Sequence, residues 1–72
     1  MRSVYLGQFT DEVADTIAGE LERARIWWTY KQAGRFTQAL FAGEWGTRLF
    51  VDEARLEEAR RIAVQVVRRS EG

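Results

Sequence analysis

The chain predicts an α+β fold of order β-α-β-β-α, and three observations predict it: two helical stripes of apolar residues, three β-rich runs, and a length that allows one small domain. Val13, Ala14, Ile17, Ala18, Leu21 and Ala24 recur at helical spacing, and so do Leu56, Ala59, Ile62, Ala63, Val66 and Val67. Seventy-two residues form a single domain, 1–72 with its core from about residue 3 to 69. A domain of this size buries only about 60% of the surface its unfolded chain exposes, so its stability margin is thin.

The first strand is predicted over 3–9, where Ser3-Val4-Tyr5-Leu6-Gly7-Gln8-Phe9 alternates with period two and is rich in β-branched and aromatic residues. Thr10 follows as an N-cap that accepts from the free donors of the first turn, and Asp11 and Glu12 suit the positive end of the helix dipole. The helix runs to about Arg25, with Arg23 and Arg25 at its negative end. Gly19 falls off the apolar stripe, so it lowers helix propensity without opening a hole in the core.

The run Ile26-Trp27-Trp28-Thr29-Tyr30-Lys31 predicts a second strand, and Trp45 to Val51 a third. Between them, residues 33–44 are too many for a tight hairpin and too apolar for a solvated loop, which suggests a short helical turn around 37–42. Phe36, Leu40, Phe41 and Trp45 make this stretch either a lid over the core or an interaction loop. Asp52 is the expected cap of the second helix. Glu53, Glu57 and Glu58 lie in its early turns and Arg60, Arg61, Arg68 and Arg69 in its later ones, with Glu57 and Arg61 spaced for an i,i+4 pair.

Alternation sorts the strand residues onto two faces. Val4, Leu6, Ile26, Trp28, Leu49 and Val51 are assigned to the face under the helices, and Tyr5, Trp27, Thr29, Lys31, Arg48 and Phe50 to the opposite one. Two helices of this length cover one face of a three-stranded sheet, so the second set is left without an intramolecular cover. Tyr5, Trp27 and Phe50 each bring about 150–250 Å² of buriable surface, which together reaches the roughly 300–600 Å² of the largest apolar patch on a typical monomer.

Composition narrows the chemistry. The chain has no cysteine and no histidine, which removes disulfides, thiolate or imidazole metal ligands and the commonest nucleophile–base pairs. Ser3 and Ser70 lie near the ends of the chain, and Asp11, Glu12, Asp15, Glu53, Glu57 and Glu58 sit where caps and solvated helix faces want acids. No catalytic, cofactor-binding or metal-binding residue is assigned, and a non-enzymatic role is expected. Gly7, Gly34, Gly43 and Gly46 form no glycine-rich strand-to-helix loop for a phosphate. Eleven basic residues balance eleven acidic ones, so no net field draws the chain to nucleic acid or anionic membrane. No run of about 18 apolar residues suggests a membrane span, and a cytoplasmic protein is expected.

Val4-Tyr5 opening the chain, Leu21-Glu22-Arg23-Ala24-Arg25-Ile26 closing the first helix, and the stretch from Leu49 through Asp52 to Ala59 together resemble the small prokaryotic domain-of-unknown-function family labelled signal transducing protein. The resemblance spans about residues 4–65 and implies a ferredoxin-like, PII-like sheet: three antiparallel strands, the third between the first and second, with two helices on one face. It implies an exposed edge on the first strand, where a complete fold adds a fourth. It supplies no catalytic residue. The family's glycine before the second strand and proline before the last helix are replaced here by Arg25 and Asp52.

The function expected from these readings is a protein-interaction or regulatory module that self-associates, as a homodimer in the commonest case, or meets another protein, through the aromatic face or the first strand's edge. Its alternative is a weak single-stranded RNA-binding domain that uses the sheet-face aromatics. RNA-recognition domains stack bases on aromatics of an open sheet face, and Tyr5 and Phe50 beside Arg48 and Lys31 echo that arrangement. The arginine-glycine-aromatic signature of those domains is missing, and the balanced charge withholds the usual electrostatic attraction.

Overall fold

A computed structural model describes residues 1–32 and 46–71. It contains β1 (Ser3–Phe9), α1 (Asp11–Arg23), β2 (Trp28–Gln32), β3 (Thr47–Asp52), a 3-10 turn (Glu53–Arg55) and α2 (Leu56–Glu71). The strands form one antiparallel sheet in the order β1-β3-β2, which is compatible with a ferredoxin-like arrangement. The core joins the two helical stripes to one face of the sheet: Ala14, Ile17 and Leu21 from α1 and Ala59, Ala63 and Val66 from α2 meet Ile26, Leu49 and Val51. Among the described residues, no helix is long and apolar enough to cross a membrane.

Both helix starts are set by side-chain caps. Thr10 Oγ1 accepts from the Val13 N–H at 3.2 Å, and Asp52 Oδ1 accepts from the Ala54 N–H at 3.1 Å. Such caps satisfy donors that the first turn of a helix leaves free. The second helix departs from expectation in its first turn, which is 3-10 before it relaxes into α2. Arg55 then pairs with Glu58 at 2.8 Å, whereas the expected Glu57–Arg61 pair does not form.

α1 ends two residues earlier than its pattern suggests. The Arg25 N–H donates to the Glu22 carbonyl at 3.0 Å, and the Ile26 N–H reaches back to the Leu21 carbonyl at 2.9 Å. Those two bonds are a Schellman closure, and the two residues that such a closure clasps, Leu21 and Ile26, are both buried in the core. Ile26 is spent on this clasp, so β2 begins at Trp28 rather than at Ile26. The closure puts Arg25 at φ 59°, the left-handed region that glycine enters without penalty.

β1 departs from strict alternation. Val4 and Tyr5 face Val51 and Phe50, but Gly7, Gln8 and Phe9 face Leu49, Arg48 and Thr47, so Leu6 is an extra residue in the ladder. This bulge keeps Leu6 against the core and also turns Phe9 inward, where strict period two would have placed Gln8. At the start of β3, Gly46 has φ 75°, and a Cβ there would run into the Phe9 carbonyl. Thr47 is the buried polar residue of the sheet, and its hydroxyl donates to Asp11 Oδ1 at 2.7 Å, which ties β3 to the first turn of α1.

Arg25→Gly is expected to stabilise the fold by about 0.5–1 kcal/mol, because glycine relieves the left-handed strain but gives back part of the gain as unfolded-state entropy. A urea titration reads this as a higher midpoint with unchanged slope. A lower midpoint would show that the Arg25 side chain contributes more than its backbone costs.

Candidate functional site

β3 decides what the far side of the sheet displays. Along it Thr47, Leu49 and Val51 are buried, while Arg48, Phe50 and Asp52 are half-buried on the other face. Strand register extends that face into three rows. Tyr5, Phe50 and Thr29 form the middle row; Gln8, Arg48 and Lys31 lie to one side of it; Ser3 and Asp52 lie to the other. Trp27 precedes β2 but continues the last row, since its carbonyl accepts the Asp52 N–H at 3.2 Å.

Two of the three residues of the middle row are aromatic. Tyr5 and Phe50 have ring centroids 5.7 Å apart at 59°, a tilted cross-strand pair, and Lys31 Nζ stands 5.8 Å from the Phe50 centroid. A lysine so placed gains roughly 0.5–1 kcal/mol from the ring quadrupole at an exposed site. Tyr5 is 52% exposed and Trp27 42%, although each is an aromatic large enough to anchor a contact. Thr29 and Lys31 are exposed beside them. Thus Tyr5, Thr29, Lys31, Arg48 and Phe50 share one face, with Trp27 at its margin. The loop residues Phe36, Leu40, Phe41 and Trp45 lie outside the described residues.

Other surface features emerge only in three dimensions. Tyr30 aligns with Leu49 on the helix side, yet it is 53% exposed, on a strand that lies at the edge of the sheet among the described residues. Its ring lies 6.1 Å from that of Trp28, whose indole N–H donates to Glu22 Oε1 at 3.0 Å. The only sequence signal for that pair is the period-two step from Trp28 to Tyr30. On the opposite edge, Val64 is 48% exposed on α2 between Arg60 and Arg68. An isolated valine in an arginine-rich helix surface was the signal there. Among the described residues, no group of three or more acidic, histidine or cysteine side chains is placed to hold a metal ion.

Comparison with known proteins finds no match: no family model, no curated protein and no solved structure is similar to this chain.

Tyr5 and Phe50 are expected to couple by about 0.5–1.5 kcal/mol in a double-mutant cycle of Tyr5→Ala and Phe50→Ala, measured by denaturant unfolding at low protein concentration. Coupling near zero would mean that the rings do not pack on each other in solution.

Proposed function

We propose that this chain is a non-enzymatic protein-interaction or regulatory module that self-associates through the aromatic face of its sheet. The observation that carries this reading is the pairing of Tyr5 with Phe50, with Trp27 at the margin, on a face that no helix among the described residues covers. Burying that surface against a second copy would gain about 25 cal/mol for each Å² of apolar area removed from water. The face is also self-complementary. A two-fold axis lying in the interface and crossing the strands at the middle row lays the Arg48 and Lys31 row over the Asp52 and Trp27 row of the partner copy. Cations then meet a carboxylate and an indole face, in the isologous arrangement of a closed dimer.

A regulatory role and a cytoplasmic setting belong to the same proposal and rest only on the sequence's likeness to the prokaryotic signal transducing family, which no family model supports. Single-stranded RNA is the second reading, favoured by Arg48 and Lys31 lying next to the Tyr5–Phe50 pair. It ranks lower because the chain's balanced charge gives a polyanion little long-range attraction.

Sedimentation velocity across a hundredfold range of protein concentration tests the proposal. A monomer–dimer transition is expected, displaced to at least tenfold higher concentration by Phe50→Ser or Trp27→Ser. A monomer throughout, joined to a salt-sensitive complex with oligouridylate that Tyr5→Ala abolishes, would favour RNA instead.

A further inference from the structure

Among the described residues β1 is paired on one side only, with β3, and beyond its other edge lies a groove of about 480 Å³ between Leu6–Phe9 and one side of α2. Its floor is apolar, formed by Leu6, Phe9, Val64 and Val67, and Arg60 and Arg68 stand along its helix wall. Among the described residues no carboxylate lines it, and neither guanidinium group makes an ion pair or hydrogen bond. The opposite side of the molecule has the reverse charge: α1 carries Asp11, Glu12, Asp15, Glu20 and Glu22 against Arg23 alone. Zero net charge therefore conceals a basic, apolar groove beside an open sheet edge.

From this charge and geometry we infer a second interaction site, in which an extended acidic-apolar segment of another protein adds to the edge of β1 and lays its side chains in the groove. Arg60 and Arg68 are eight residues apart on α2, about 12 Å along a helix that rises roughly 1.5 Å per residue. Four residues of extended chain span about 13 Å, and side chains at i, i+2 and i+4 share a face. Acids at i and i+4 thus meet the two arginines, and an apolar residue at i+2 meets Val64. Backbone pairing with β1 supplies affinity, and the two arginines supply specificity by charge-assisted bonds. An incoming strand antiparallel to β1 extends the all-antiparallel sheet. A second β1 fits less well, because Ser3–Phe9 contains no carboxylate to offer Arg60 and Arg68.

The test uses the full chain and a fluorescein-labelled nine-residue peptide of alternating threonines, with glutamates at its third and seventh positions and valine at its fifth. Anisotropy is expected to show saturable binding, and hydrogen exchange to show slowed amides in β1. Replacing both peptide glutamates by glutamine, or making Arg60→Gln with Arg68→Gln, should weaken binding at least tenfold. Arg61→Gln, on α2 but outside the groove, should change it less than twofold, and circular dichroism should confirm that each variant is folded. Any of four results would overturn the inference: no binding up to millimolar peptide, equal binding of the glutamate and glutamine peptides, an Arg61→Gln loss equal to that of the double variant, or β1 amides already protected by self-association without peptide.

Discussion

Everything in this fold hangs on the register of β3. It is the central strand, held by β1 on one side and β2 on the other, and its alternation sends Thr47, Leu49 and Val51 under the helices and Arg48 and Phe50 away from them. A slip of one residue against either neighbour would exchange those faces and bury an arginine in place of Leu49. Three local devices hold the register: the bulge at Leu6 that turns Phe9 inward, the Thr47–Asp11 hydrogen bond, and Gly46 pressed against the Phe9 carbonyl. With the register fixed, a core from one face and an aromatic surface on the other follow together.

Period alone made most of this legible. The stripes of α1 and α2, the caps Thr10 and Asp52, and the two-face sorting of Val4, Tyr5, Leu49, Phe50 and Val51 are one-dimensional patterns, and each is realised in three dimensions except that Val67, the last residue of the α2 stripe, lies outside the core and lines the groove beside β1. The central position of β3 is different, because no spacing in the sequence dictates strand order. Bulges were invisible, since Leu6-Gly7 reads as ordinary alternation until its partner strand is placed. Arg25 in a left-handed conformation was equally hidden, because any rule of residue preference would put glycine there.

The edges of the sheet were the least legible. Whether α1 or α2 overhangs a given strand depends on packing angles, and that decides why Tyr30 is exposed beside Trp28 and why Val64 opens onto a groove rather than a core. Charge followed the same logic. A count of acids and bases gives zero, yet α1 gathers acids while the groove of α2 presents Arg60 and Arg68, so the two lateral sides of one small domain suit different partners. On the proposed reading, the aromatic face joins like to like and the β1 edge meets something acidic and extended.

The central claim is that one face of the sheet is core and the other is open until a partner covers it. Solvent paramagnetic relaxation, measured by NMR with a soluble gadolinium chelate, reads that claim atom by atom along β3. The methyl groups of Leu49 and Val51 should be protected at every protein concentration, while the Phe50 ring should relax strongly in dilute solution and progressively less as concentration rises. A Phe50 ring as protected as Leu49 in the dilute monomer would contradict the account, because the face would then be covered from within the chain.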